Sequence, residues 1–325
     1  MPYRVAVVQG GPSSEAEVSR VSAKFIAEAL RRRGHTVLVL ELDPFLQETL
    51  RQSGVDAVFP IAHGALGEDG ALQGLIETLG FPYVGSGVLA SALAMDKPMA
   101  KVVFAAANLR TANGCTVQVD SAAPSAILRV LGSSLVVKPA TSGSGLGVTL
   151  LPNATEESLA TALSEVSEVA RTALVEELIV GREVTCGVLE KGKVRVALPP
   201  TEILSPEDSF YNFQARYTPG RSRHICPAEL PKGLSEEVQR MAIRAHEALG
   251  CRDLSRADFV VTGTEAVLLE VNTLPGFTST SLFPEACAQD GLEFGELCEH
   301  LVAQALTRGA APRFEAARFP ASRQA

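Results

Sequence analysis

At 325 residues and 46 % hydrophobic content the chain is long and apolar enough for two or three packed domains. Its charge of −8 (29 Lys and Arg against 37 Asp and Glu) and its single short basic run, Arg31-Arg32-Arg33, argue against a nucleic-acid partner. No apolar run approaches the ~18 residues of a membrane span, Met1 to Gly11 lacks a signal-peptide pattern, and six scattered Cys show neither C-x-x-C nor zinc spacing, so the expectation is a cytoplasmic protein with reduced thiols.

Tyr3 to Gln9 (YRVAVVQ) reads as an apolar strand. Gly10 to Ser14 turns it into a helix from about Glu15 to Arg33, and Thr36 to Leu42 is the next strand. Such a βαβ unit aims helix N-terminal amides at a ligand crevice, although the full G-x-G-x-x-G of a dinucleotide site is absent. Glu15 in the first turn either complements the helix dipole or grips a substrate ammonium. Val55 to Ala62 is a third strand, and His63 at its end is either structural or functional. Gly67 to Gly70 opens a helix, Ala71 to Leu79, and Phe81 to Val84 reads as a short fourth strand.

Gly85-Ser86-Gly87 marks a domain boundary. The small-residue helix beyond it, Val88 to Ala107, is expected to restart at Pro98, which leaves Lys97 near a helix end. From Ser134 a strand ends in Lys138-Pro139, passes through Gly143-Ser144-Gly145-Leu146-Gly147 and leaves as a second strand. This is either a Gly-rich turn or a flap whose amides close over phosphates, and Lys138 beside it favours the flap. It is not a Walker A loop, because no Gly-Lys-Ser/Thr follows.

A polar helix, about Glu156 to Ala170, precedes the strand Ala173 to Val175. By spacing alone Glu176 and Glu183, which bracket the next connector, are surface acids. Val184 to Leu189 and Lys193 to Leu198 form a strand pair, whereas Leu204 to Ala228 shows no period. A stretch that long is either disordered or a lid, and its aromatics favour a lid. Leu234 to Leu249 is amphipathic, Pro284 to Ala288 and Leu292 to Leu306 are helical, and Gly309 to Ala325 reads as a frayed tail.

The hairpin from Ser255 to Asn272 carries the most chemistry. With its turn centred on Thr264, Asp258 lies opposite Glu270 and Arg256 opposite Asn272, all on one face. The other face would hold Ala257, Phe259, Val261, Val267, Leu269 and Val271. Two carboxylates about 4 Å apart repel by roughly 4 kcal/mol at an effective dielectric near 20. Either a hard cation such as Mg²⁺ relieves this, or the face is wet and Arg256 pairs a carboxylate.

Together these motifs resemble the ATP-grasp enzymes, and within them the D-alanine–D-alanine ligase family. The resemblance runs from about Arg4 to Leu306 and rests on HGALGEDGALQG (63 to 74), VGSGVLASALAMDK (84 to 97), SGSGLGV (142 to 148), VEELI (175 to 179) and EVNTLPGFTSTSLFP (270 to 284). It implies an α/β, ATP-grasp fold with an N-terminal Rossmann-like domain: residues 1–86, then ATP-grasp subdomains 87–183 and 184–308, and a flexible tail 309–325. The implied activity is ATP-dependent joining of two D-alanines through an acyl phosphate, for peptidoglycan precursors, by a cytoplasmic homodimer.

The resemblance also implies roles. Lys97, Lys138, Ser144, Gly147 and Arg216 would handle the phosphates of ATP. Glu176, Glu177, the Leu178-Ile179 backbone and Glu183 would hold adenosine. Asp258, Glu270 and Asn272 would bind two Mg²⁺ ions, with Mn²⁺ as a substitute. Glu15 and His63 would hold the first D-alanine, Ser281 and Leu282 the second, and Arg256 with the Gly276 amide would stabilise the oxyanion. Ser144 and Tyr217 would tie flap and lid to Glu15. Two positions depart from the family pattern: Arg216 stands where Lys is usual, implying a forked phosphate contact, and Gly145 where a second Ser is common. Rival readings are D-lactate or D-serine as second substrate, and a nucleotide-binding regulator, which would have no use for an oxyanion donor.

Overall fold

The computed structural model describes residues 2–207, 210–218, 220–278 and 280–310, leaving out the side chains of Phe213 and Tyr217. Of the expected tail, residues 311–325 lie outside the described residues. Among the described residues the strands form three sheets.

The first sheet is parallel, of order β2-β1-β3, built from β1 (Arg4–Gln9), α1 (Ala16–Arg32), β2 (Thr36–Glu41), α2 (Leu46–Ser53), β3 (Ala57–Pro60) and α3 (Ala71–Leu79). The middle of β1 is apolar at every position because both its faces are covered. Val5 and Val7 join the core containing Ile26 and Leu30 of α1, whereas Ala6 and Val8 join the one containing Leu50 and Ile76. The strand expected at Phe81 to Val84 is reduced to one parallel bridge, Val58 to Tyr83. Sequence reading passed over α2, whose Leu46, Leu50 and Ser53 are buried at helical spacing.

Next come α4 (Val88–Met95) and α5 (Lys97–Ala106). The restart between them is a cap: Asp96 Oδ1 accepts from the Met99 amide at 3.0 Å with Pro98 in the first turn. Lys97 therefore starts α5. The second sheet is antiparallel, of order β4-β7-β5-β6. It comprises β4 (Gly114–Gln118), α6 (Pro124–Leu131), β5 (Leu135–Pro139), β6 (Thr149–Leu151), α7 (Glu156–Ser167) and β7 (Thr172–Glu177).

The third sheet runs β11-β10-β8-β12-β13, with β9 also on β8. Its elements are β8 (Arg182–Lys191), β9 (Val194–Ala197), β10 (Thr201–Leu204), α8 (Phe213–Tyr217), β11 (Arg223–Ile225), α9 (Lys232–Leu249), β12 (Leu254–Val261) and β13 (Ala266–Asn272). The 204–228 stretch, expected to lack regular structure, thus contains a short helix and a strand. Asn212 caps α8, its side chain accepting from the Ala215 amide, and β11 pairs antiparallel with β10. Partners on β10 lie some twenty residues away in sequence, so no local period could announce β11.

In the hairpin, Arg256 pairs with Asn272, Ala257 with Val271 and Asp258 with Glu270, as the turn position requires. The register then shifts by one residue, so that Phe259 faces Leu268 rather than Leu269. This bulge takes Leu269 out of the core face, where alternation alone would put it. Leu268 is buried instead, while Leu269 and Glu270, adjacent in sequence, both line a cavity.

Two last helices, α10 (Leu282–Gln289) and α11 (Phe294–Arg308), return to the first sheet. Leu297, Leu301 and Val302 of α11 share the core of α1 and β1. At the end of α11 the Arg308 guanidinium meets Asp253, which also accepts from the Gly85 amide at 2.7 Å. Arg252 donates to the Gly85 carbonyl at 2.7 Å and lies over the Tyr83 ring, so the start of β12 grips the Gly85 turn from both sides. Four of the six cysteines are buried, with Cys115 and Cys226 half-buried. Among the described residues no helix is long and apolar enough to cross a membrane.

Candidate active site

The three sheets meet around two joined cavities. One, of about 110 Å³, is lined by groups from all three, including Glu15, His63, Lys97, Ser144, Arg256 and Glu270. The other, of about 700 Å³, lies between the second and third sheets and reaches Lys138, Glu176, Ile179, Glu183 and Leu269. Lys97, Arg216 and Glu270 line both.

Glu15 and His63, 48 positions apart in sequence, come together beyond the ends of β1 and β3 because the parallel sheet places both strand ends at one edge. Both are nearly buried. His63 Nδ1 lies 3.3 Å from Glu68 Oε1, and its buried Nε2 has no hydrogen-bond partner among the described residues. Glu68 is itself fixed by the Gly64 amide at 2.6 Å. Burial disfavours the charged ring, but Glu68 and Glu15 outweigh it, so His63 holds its proton above its ordinary value near 6.5. A cationic imidazole beside a cavity suits a carboxylate. Because the folded value is raised, the charged form and the stability it adds are present at low pH and are lost as pH rises through that value. Glu68→Gln should move the alkaline limb of the pH profile of kcat/KM for the amino-acid substrate to lower pH, because a cause of the raised His63 value is removed. An unmoved limb would remove His63 from substrate binding.

The flap between β5 and β6 closes onto this edge. Ser144, at φ 54°, donates to Glu15 Oε1, and Lys97 donates to the Ser142 carbonyl. Gly145 has φ +70°, and a Cβ there would lie 3.3 Å from the Asn212 Cα of the lid, so close approach as well as backbone shape suits glycine. Gly147, at φ +68°, packs against Pro139, where a Cβ would come within 2.9 Å of the ring.

In the larger cavity, Glu176 is no surface acid. It is 4 % exposed and lies between Lys138 Nζ, 2.5 Å from Oε2, and Lys101 Nζ, in contact with Oε1. Burial raises its pKa, yet the two lysines more than offset this and hold it ionised. Glu183, also read as a surface acid, is half-buried. Burial raises its pKa, partly opposed by the Tyr211 amide, which donates to its carboxylate at 3.1 Å. Glu177 accepts from the Asn113 amide at 2.9 Å at the cavity edge. The Leu178 amide donates to the Ser134 carbonyl at 2.8 Å, and Leu178 and Ile179 both line the larger cavity.

On the hairpin face, Arg256 forks onto Asp258, Nε to Oδ1 at 2.8 Å and Nη2 to Oδ2 at 2.7 Å, and Thr185 donates to the same Oδ1 at 2.7 Å. Arg256 thus pairs a carboxylate, as the alternative to a metal had it, but at 7 % exposure this face is not simply wet. Glu270 lies 3.3 Å from Lys97 Nζ. Burial pushes its pKa up, but Lys97, Arg216, Lys138 and Arg256 pull it well below the carboxylate range. Asn272 Oδ1 accepts from the Leu274 amide at 2.8 Å and lines the smaller cavity. Lys97, which by itself passes for a solvated lysine, is 8 % exposed.

Among the described residues no three His, Cys, Asp or Glu gather as a closed metal cage. The set is two carboxylates and an amide oxygen, all hard donors, which fits a Mg²⁺ or Mn²⁺ ion that takes its remaining ligands from phosphates. At the far end Ser281 Oγ accepts from the Thr278 amide at 2.9 Å, and a Cβ on Gly276 would lie 2.9 Å from that Oγ. Arg216 of the lid lies over the Tyr211 ring and donates to the Tyr211 carbonyl at 3.0 Å. The expected link through Tyr217 falls outside the described residues, since only its backbone at the end of α8 is given.

Comparison with known proteins decides the family. A model of the D-Ala–D-Ala ligase C-terminus matches residues 105–303, and one of the N-terminus matches 44–86. The chain belongs to the D-alanine–D-alanine ligase family. It is 42 % identical to the D-alanine–D-alanine ligase of Desulforudis audaxviator, over 95 % of this chain and all of that one. To the Gluconobacter oxydans enzyme it is 44 % identical, over 94 % and 100 %. Its fold matches the crystal structure of the Bacillus anthracis D-alanine–D-alanine ligase complexed with ATP, with a TM-score of 0.82 at 28 % identity over 94 % of this chain and 98 % of that one. The fold of this ligase-family chain is therefore α/β of the ATP-grasp type. Its sequence reading left Glu68, Lys101 and Thr185 without a role, though each contacts a predicted site residue. For Lys101 a signal existed: it stands one helical turn after Lys97.

Proposed function

We propose that this enzyme joins two D-alanines to D-alanyl-D-alanine with ATP, in the two cavities described, supplying a peptidoglycan precursor. The observation that carries this reading is the convergence of Glu15, His63, Lys97, Ser144, Arg256 and Glu270, from three sheets, on one small cavity. ATP lies in the larger cavity, with adenosine along Glu176, Glu177, Ile179 and Glu183 and its phosphates toward Lys97, Lys138, Gly147 and Arg216. Asp258, Glu270 and Asn272 would hold two Mg²⁺ or Mn²⁺ ions, whose chemistry there would be to neutralise phosphate charge.

The first D-alanine sets its ammonium against Glu15 and its carboxylate toward His63. That carboxylate attacks the γ-phosphorus, ADP leaves, and an acyl phosphate remains. The second D-alanine, its carboxylate at Ser281 and the Leu282 amide, attacks the acyl carbon through its amine. Arg256 and the Gly276 amide receive the oxyanion, and inorganic phosphate departs with the proton that the attacking amine loses. Donors of this kind are worth roughly 3 kcal/mol each. The flap at Ser144 and the lid at Tyr217 exclude water that would hydrolyse the acyl phosphate.

The units proposed are residues 1–86, 87–183 and 184–308 with a tail from 309, and α11 packs back onto the first. A cytoplasmic homodimer is part of the same proposal. A coupled assay should record ADP release that needs Mg²⁺ and D-alanine as sole amino acid. Greater release with D-lactate or D-serine as second substrate would reassign the acceptor, and no release at all would favour a regulator.

A further inference from the structure

The pairing of Glu176 poses an electrostatic problem for any phosphate site. Lys138 lines the larger cavity, yet it is already 2.5 Å from a nearly buried carboxylate. A one-to-one buried pair of Lys and Glu is neutral as seen by a ligand, and its cation is held back by hydrogen bonding to its partner. Such a pair would be a poor receptor for polyphosphate.

Lys101 changes that balance. It stands four residues after Lys97 on α5, so the two side chains leave the same helix face one turn apart. Its Nζ donates to Glu176 Oε1 and, at 2.5 Å, to the Ala112 carbonyl. Glu176 is thus gripped on one oxygen by Lys101 and on the other by Lys138. Of the two lysines only Lys138 is among the residues lining the larger cavity. The cluster of two lysines and one carboxylate carries a net charge of about +1, and that surplus faces the cavity through Lys138.

We infer that Lys101 is a positioning residue for nucleotide polyphosphate: it neutralises Glu176 from behind, which leaves the Lys138 charge available to the phosphates. The inference deepens the reading of the larger cavity as the ATP site and rests on it. Lys101 itself touches no phosphate. A nucleoside without phosphates meets Glu176 but not the Lys138 charge, so it should depend on Lys101 far less than ATP does.

The test measures equilibrium dissociation constants of ATP and of adenosine for the full-length enzyme with Mg²⁺, by calorimetry or equilibrium dialysis. Lys101→Met should weaken ATP about tenfold while adenosine changes less than about twofold. Lys101→Gln, which keeps a donor toward the Ala112 carbonyl, should behave alike if the methionine variant folds poorly, and Lys101→Arg should hold ATP near the wild-type value. In a Glu176→Gln background the carboxylate that would capture Lys138 is gone, so adding Lys101→Met should cost ATP less than about twofold.

Parallel weakening of ATP and adenosine in both neutral variants would overturn the inference and make Lys101 a prop for the strand. So would a tenfold ATP loss that persists in the Glu176→Gln background. Failure of the wild-type protein to bind ATP would instead strike the underlying site reading, and the inference with it.

Discussion

Replacing Glu270 by glutamine should lower D-alanine-dependent ADP release by about 10²- to 10³-fold and raise the Mg²⁺ concentration needed for half-maximal rate. The size of the effect follows from its surroundings. Lys97 lies 3.3 Å from the Glu270 carboxylate, and with Arg216, Lys138 and Arg256 it keeps that group ionised despite burial. The substitution therefore removes a whole charge at neutral pH, not a fraction of one. It also leaves the cations facing each other with one anion fewer. A Mg²⁺ titration of steady-state ADP release separates this from simple unfolding, since added metal rescues part of the rate only if the lost group is a ligand. Turnover within a few-fold of wild type would take Glu270 out of the proposed metal site.

Arg256→Met should be equally costly, for two separable reasons. Turnover should fall by about 10²- to 10³-fold, because the guanidinium nearest the hairpin face is the proposed oxyanion donor. Stability should fall by about 3 kcal/mol, because Asp258 loses both forked hydrogen bonds in a nearly buried setting. Thermal or denaturant unfolding checks the second effect and ADP release the first. Adding Asp258→Asn to the methionine variant should recover most of the stability and none of the turnover. Recovery of both would mean that Arg256 serves only to pair Asp258. Arg256→Lys keeps a charge but loses the fork, and should fall between wild type and methionine in both measurements.

Both predictions depend on the hairpin, and the hairpin shows where sequence reading succeeds and stops. A turn centred on Thr264 fixes the pairs Arg256 with Asn272 and Asp258 with Glu270, and those pairs form. The one-residue slip beyond them is invisible to alternation, because Leu268 and Leu269 are the same residue type and either satisfies a core face. The slip matters to the site: it turns Leu269 into the wall of the larger cavity next to Glu270. The lid shows a related limit. Its aromatics and arginines single it out as functional, but β11 exists only through pairing with β10, and that pairing has no local signature.

By itself the sequence determined the order of β1, α1, β2, β3 and α3, though not α2 between them, together with the restart at Pro98, the glycine-rich flap and the facing carboxylates. These rest on short-range physics: side-chain period, turn residues and caps act within a few residues. Only the tertiary structure decided which charge answers which. Glu176 read as a surface acid until β7 placed it between lysines from β5 and α5, and Lys97 read as solvated until the fold set it against Glu270. Pairing energies of buried groups depend on distances across elements and on exclusion of water, and neither is written in spacing along one strand. Thus the sequence showed a hairpin in need of a cation and offered Arg256 as the partner of a carboxylate, but that Arg256 takes Asp258, and that Lys97 of α5 answers Glu270, was decided by the fold.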